Sequence, residues 1–174
     1  MSSVGRDFRD VVGAFPTGVC VITSEHHGHP QGMTMNSFTS VSLDPLLVLV
    51  SFIRESRTYP TVIASGRFAV NILHRRQQDV ALAFATRGAE FPAEHAVVDP
   101  YGYFAVRHAL ALLRCEVFQV FEAGDHDVVI GAVVSFEGSG GDPLIFHRGS
   151  FGGVDEDAKV PLGRVIGIGD GLGW

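Results

Sequence analysis

Cysteine is scarce in this chain of 174 residues, which has only Cys20 and Cys115. Each lies in an apolar run, VCVI and LRCEV, far from the other. That spacing implies no disulfide framework and predicts two buried thiols that behave as small hydrophobes. Lysine is scarcer still, because Lys159 is the only one among 13 basic residues. Against 19 acidic residues the net charge is -6, which gives no electrostatic footprint for nucleic acid or an anionic membrane. No apolar run reaches the roughly 18 residues that a membrane span needs, and MSSVGRDFRD has no apolar signal core. These absences predict a soluble, cytoplasmic chain. The motifs GxSxG, HExxH and GxxxxGK[ST] are missing too, so the usual nucleophile, zinc-protease and phosphate-loop chemistries drop out. The glycine-rich GIGDGLG is no dinucleotide fingerprint, because Leu172 stands where the last Gly of GxGxxG belongs.

A hydrophobic content of 46% over this length predicts one well-buried core, hence one domain. Apolar spacing predicts a short helix from Arg6 to Gly13, and the β-branched run 18-GVCVITS-24 a strand. The polar EHHGHPQG reads as a turn into a second strand from Met33 to Phe38, making a hairpin. The run 46-LLVLVSFI-53 reads as a fully buried strand. A short helix closing at Gly66, a strand at 67-RFAVNIL-73 and an amphipathic helix over 75-RRQQDVALAFATRG-88 follow. From 89 to 107 the pattern predicts a long loop, of the kind that tends to be functional. Strands are expected at 109-ALALLRCEVFQVFEAG-124, 127-DVVIGAVVSFE-137 and 143-PLIFHRG-149. The sum is a mainly β (α+β) domain with peripheral helices, most economically closed as a barrel. The domain is expected over 1–154, with a flexible glycine-rich tail over 155–174 in which 165–168 could dock as a strand.

His26, His27 and His29 crowd one turn, but no Cys or acidic partner stands at ligand spacing, so no metal is assigned. His95, His108 and His147 read as structural. The stretch 31-QGMTMNSFTSVSLDPLLVLVSF-52 is more informative, since it brings Thr34, Asn36, Ser37, Thr39, Ser40 and Ser42 to the mouth of an apolar strand. Alternate positions of a strand share a face. Such a face either decorates a solvated edge or fixes a flat, polar-edged ligand by hydroxyl, amide and backbone hydrogen bonds.

GxTxNSFTSVSLDPxLVLVSF, here Gly32 to Phe52, resembles the signature of the short-chain flavin reductase family, the reductase components of two-component flavin-dependent monooxygenases. FPTGVxVIT (Phe15 to Thr23), SxT at Ser56 to Thr58, SGRFAVNIL (Ser65 to Leu73) and LRCEV (Leu113 to Val117) continue the resemblance. GDH at Gly124 to His126 and PLIFHRGSFG (Pro143 to Gly152) complete it. It covers about Phe8 to Val154. The loop from Gly88 to Arg107 departs from the family pattern, and Phe151 stands where the family often has Tyr.

The resemblance implies an FMN-binding split β-barrel of Greek-key type, acting as a homodimer with flavin near the subunit interface. It implies NAD(P)H:flavin oxidoreductase activity, with FMN or FAD reduced by NADH or NADPH and the reduced flavin supplied to a partner monooxygenase. Thr34, Met35, Asn36 and Ser37 would face the flavin ring and ribityl chain. Ser51 and Phe52 would flank them, and Ser40, Val41 and Ser42 belong to the same segment. Ser40, Ser56 and Thr58 are candidates for the ribityl phosphate, with Arg57 beside the SxT able to add a charge-assisted hydrogen bond. Phe84, on the helix that carries QQDVALAF, either touches the flavin or belongs to the core. His126 with Gly124 and Asp125 would hold the nicotinamide, with Arg148, Ser150 and Phe151 nearby. A split barrel that binds flavin without turnover, as carrier, sensor or repurposed biosynthetic enzyme, is the alternative.

Overall fold

The computed structural model describes residues 3–86 and 88–155. An N-terminal helix α1 (Ser3–Val12) leads through a two-residue strand β1 (Thr17–Gly18) into strand β2 (Cys20–His26). Then come β3 (His29–Met35), β4 (Thr39–Leu43), β5 (Leu46–Ile53), α2 (Thr58–Ser65), β6 (Arg67–Ile72) and α3 (Gln78–Ala85). The short pair β7 (Ala96–Val98) and β8 (Phe104–Val106) precedes the long strands β9 (Ala111–Ala123) and β10 (His126–Gly138), and β11 (Ile145–His147) and β12 (Ser150–Gly152) follow.

Seven strands form one antiparallel sheet in the order β3-β2-β6-β9-β10-β5-β4, with β3 and β4 at its two edges. The sheet curls without closing, which is the split-barrel architecture. A small sheet β1-β11-β12 is stitched on where the Leu73 N–H bonds the Val19 carbonyl, Val19 that of Leu144, and Leu144 that of Leu73. Inside the curl, Ile22, Val50, Phe52, Phe68, Val70 and Val129 form the main core. β2 is buried on both faces, since Val19 and Val21 point the other way into a second cluster with Leu73, Val80, Phe84 and Leu144. Cys20 and Cys115 are buried free thiols, and burial pushes both up to about 12.

Several expectations need correction. The first hairpin turns on His27 and Gly28 alone, with φ of 52° and 81°, so β3 begins at His29 and ends at Met35, three residues short of Phe38. Two consecutive positive φ values suit the twist of a tight hairpin. The polar stretch Thr39–Leu43 is itself the edge strand β4. β5 is buried on one face only: Val48, Val50 and Phe52 enter the core, while Leu47, Leu49, Ser51 and Ile53 stay half-exposed. The segment 89–107 is no plain loop, because it contains the β7–β8 hairpin, and β12 is a strand of its own. The expected tail and its docking strand lie outside the described residues.

Three bulges interrupt the ladders. Val41 is the extra residue between Ser40↔Val48 and Ser42↔Leu47. Phe118 and Val134 are the extra residues in β9 and β10. All three apolar side chains are about half exposed or more, at 50%, 57% and 51%. No helix among the described residues is long and apolar enough to cross a membrane.

Candidate functional site

A cavity of about 490 Å³ opens between β3, the corner from β5 into α2, the end of α3 and the segment 88–92. Its volume falls in the range typical of small-molecule and cofactor sites. At one side lies the start of α2. There the Ser56 N–H donates to the Ile53 carbonyl at 3.0 Å, and the Ser56 Oγ accepts the Tyr59 N–H at 3.2 Å. The Ser56 hydroxyl thus caps the helix, while the other N–H groups of its first turn have no intrahelical partner and favour an anion. Arg57 donates one guanidinium N–H to the Ala89 carbonyl at 3.0 Å, which ties the segment 88–92 across the cavity. That leaves it further donors for a ligand.

The other side is apolar. Phe84 meets Phe91 edge-on with centroids 5.6 Å apart, and Phe91 meets Phe104 at 5.4 Å. Gly32 is required here, because a Cβ on it would stand 2.7 Å from two atoms of the Phe84 ring. Thr34 donates its hydroxyl to the Ala81 carbonyl at 2.6 Å and so fixes β3 against α3. Anion-compatible N–H groups opposite an apolar, aromatic side fit a phosphorylated heterocycle.

Thr34, Ser56, Arg57, Thr58 and Phe84 all line this cavity. His126 does not line it but pairs in register with Ile53, which does. Its Nδ1 lies 2.7 Å from Asp125 Oδ1, and that hydrogen bond, with the attraction between the two groups, holds the Asp125 carboxyl below its ordinary range. Gly124, at φ 66°, starts the turn that presents both.

The remaining candidates lie elsewhere. Met35 and Phe52 turn into the main core, with Phe52 wholly buried. The Ser37 hydroxyl accepts the Ser51 N–H at 3.1 Å and donates to the Ser51 carbonyl at 3.2 Å. It extends the β5 ladder ahead of Thr39, where β4 begins. Asn36 is exposed, and Ser40, Val41 and Ser42 lie on the edge strand β4. Ser150 and Phe151 lie on β12 of the small sheet and Arg148 in the turn before it; Phe151 packs on Phe146, and none of the three lines the cavity.

Sequence reasoning missed Gln31, Glu55, Phe91 and Pro92 as lining residues. The loop flagged over 89–107 was the only signal for the last two. It also missed a polar cluster behind the α2 start. Asp127, buried on β10, accepts a hydrogen bond from the Tyr59 hydroxyl and another from Arg54 Nε at 2.7 Å. The bond from Tyr59 leads in holding the Asp127 carboxyl below its ordinary value, with Arg54 adding to it. Burial, reinforced by Asp127, pushes the Tyr59 phenol up to about 12.

Comparison with known proteins fits this geometry. Residues 12–155 match the family described as flavin reductase like domain. The chain is 43% identical over 148 residues to a protein of Rhizobium meliloti (strain 1021) named "Probable flavin reductase". That match takes in 84% of this chain and 48% of the relative, so the chain spans about half of that protein's length. It is 38% identical over 163 residues to the flavin-dependent monooxygenase reductase subunit HsaB of Mycobacterium tuberculosis, covering 90% of this chain and 86% of HsaB. Among solved structures, the NADH:FAD oxidoreductase SgcE6 of Streptomyces globisporus C-1027, in complex with NAD and FAD fragments, aligns with a TM-score of 0.84. The identity there is 34%, over 89% of this chain and 95% of SgcE6. Fold and relatives together define a split-barrel oxidoreductase. The chain belongs to the flavin reductase-like domain family and is an oxidoreductase of the flavin reductase kind.

Proposed function

We propose that this chain is an NAD(P)H:flavin oxidoreductase that holds FMN or FAD in the cavity beside α2 and passes reduced flavin to a partner monooxygenase. The observation that carries this is one cavity joining an open helix start at Ser56–Thr58 to an aromatic wall at Phe84 and Phe91, with His126 one strand away from its rim at Ile53. The flavin supplies a two-electron acceptor: a hydride leaves the nicotinamide, which ends oxidised, and a proton from solvent balances the reduced flavin. The protein's part is binding and placement. The N–H groups of α2 and the Arg57 guanidinium hold the phosphate, Thr34 and the backbone of β3 face the ring system, and His126 orients the nicotinamide. Close, aligned contact is what hydride transfer needs, more than a strong acid or base.

The same reading includes a homodimer and a cytoplasmic setting. Val41, Leu43, Leu46, Phe118, Phe121, Val134 and Phe136 leave apolar side chains exposed on strands β4, β5, β9 and β10, which are neighbours in the sheet. An apolar surface of that kind favours a second copy. HsaB is named as the reductase subunit of a flavin-dependent monooxygenase, and a monooxygenase partner is proposed here too.

The test is anaerobic stopped-flow absorbance of the protein with FMN or FAD, mixed with NADH and then NADPH. Rapid, saturable bleaching of the flavin band is expected. Flavin binding without bleaching by either nucleotide would replace the enzyme with a flavin carrier.

A further inference from the structure

The ladder between β5 and β10 runs without a break from His126↔Ile53 to Ala132↔Leu47. It fixes His126 against the barrel. It does not fix the chain beyond Ile53, which leaves the sheet at Arg54 and carries the cavity residues Glu55 to Thr58. The backbone links at this corner are few: the Arg54 N–H reaches the Asp125 carbonyl at a long 3.4 Å, and the Ser56 N–H bonds Ile53.

One side chain bridges the gap. Asp127 follows His126 directly, and its side chain is only 10% exposed. A buried carboxylate is costly unless it is paired and hydrogen-bonded. Both partners of Asp127 come from the segment that the ladder leaves loose: Arg54 at its first residue, and Tyr59 within the first turn of α2. Tyr59 is held in turn by Phe52, with ring centroids 5.7 Å apart, and by Ser56 through its backbone N–H. Arg54 also reaches Glu122 on β9 at 3.5 Å, so the cluster spans β9, β10 and the α2 corner. An apolar residue at 127 would remove both bonds and leave the corner untied.

We propose that Asp127 is a positioning residue for hydride transfer. Through Tyr59 and Arg54 it sets the helix start that holds the flavin phosphate relative to the turn that carries His126. This rests on the flavin reductase reading above. The reaction itself is unchanged: the hydride pair still moves from nicotinamide to flavin, and Asp127 touches neither.

The test uses the full chain with two variants. Tyr59→Phe removes one hydroxyl and buries no new charge, and Asp127→Asn keeps the shape and an acceptor but loses the charge facing Arg54. For each, flavin affinity is measured by fluorescence quenching, and the bleaching rate at saturating NADH by anaerobic stopped flow. Bleaching is expected to slow about 10- to 100-fold, the scale of a misplacement of about 1 Å. Flavin affinity should stay within about twofold, since the phosphate-binding turn itself is intact. The double variant should lose no more than the worse single one, because the two residues act as a unit. Variants that melt earlier but bleach at the unsubstituted rate would assign the cluster to stability alone and overturn the proposal. Should Asp127→Asn fail to fold, Tyr59→Phe decides the matter. If the unsubstituted protein binds flavin without bleaching, the reductase reading has failed, and that is visible before any variant is made.

Discussion

His126 and Asp125 occupy a turn that begins with Gly124 at φ 66°, and a turn is all that the triplet would signify by its residue types. Its register puts it beside Ile53, which lines the cavity, and the proposed role rests on that neighbourhood. His126→Ala should therefore slow flavin bleaching at saturating NADH by about tenfold or more while flavin affinity holds, as expected for a group that orients the donor. Unchanged NADH kinetics would remove His126 from the mechanism. Gly32 makes a second demand at this scale. Its missing Cβ lets the Phe84 ring lie against β3, so Gly32→Ala should cost about 1–3 kcal/mol by overpacking. Urea denaturation would register the loss, and flavin titration should show weaker binding as Phe84 is displaced. Side-chain chemistry alone did not tell cavity from core. Thr34, Ser56, Arg57 and Thr58 were legible only through the family resemblance of their motifs, and all four line the cavity. Met35 and Phe52 sit in the same motif and face inward, since strand alternation sends neighbours to opposite faces.

The elements that the sequence announced best were those with a strong period or a clear stop, such as α2 with its closing Gly66 at φ 70°. β4 escaped notice because its face is polar and it lies at an edge, where burial imposes no alternation. The hairpin β7–β8 escaped because its strands are three residues each and the turn between them begins at Pro100. It is held by side chains. The Thr23 hydroxyl donates to the Phe104 carbonyl, Asn71 Oδ1 accepts the Val106 N–H at 2.8 Å, and Gln77 donates to the Arg107 carbonyl at 2.8 Å. Arg114 adds a buried ion pair with Asp99, and each side chain is 6% exposed. Burial alone would raise the Asp99 carboxyl, but the bond from Arg114 and the N–H groups of Tyr103 and Tyr101 hold it below its ordinary value. Asp99→Ala leaves the buried Arg114 guanidinium with Glu137 at 2.6 Å as its remaining carboxylate, so the loss should stay below the about 3–5 kcal/mol of a buried charge left wholly unpaired. Hydrogen exchange should then quicken across 96–106 while β9 and β10 stay protected. Uniform quickening over the whole sheet would show that the hairpin is not a separate unit.

For the whole molecule, three groups predict how stability answers to base. Cys20, Cys115 and Tyr59 each rise to about 12 in the fold. The unfolded chain releases the same protons near about 8.5 for thiols and about 10 for the phenol. Since the folded values are the higher ones, this contribution is full below about pH 8.5 and declines as pH climbs toward 12. Urea midpoints at pH 7 and pH 10.5 should fall with pH, and a Cys20→Ala/Cys115→Ala variant should fall less steeply. Equal slopes would mean that the thiols already ionise in the fold. The exposed apolar strands make the second prediction at this scale: sedimentation should find a dimer, and Phe118→Asp should shift it toward monomer. A monomer at micromolar concentration in the unsubstituted protein would refute it. The bulges carry one more consequence, which concerns chain length. Val41, Phe118 and Val134 each sit where the bulged strand has a single partner. Deleting one would close the local gap and leave both flanks in their original pairing, whereas deleting the neighbouring Val120 would slip Phe121 to Ala123 by one place and swap their faces. The sheet is thus most tolerant of codon loss at three residues inside its strands.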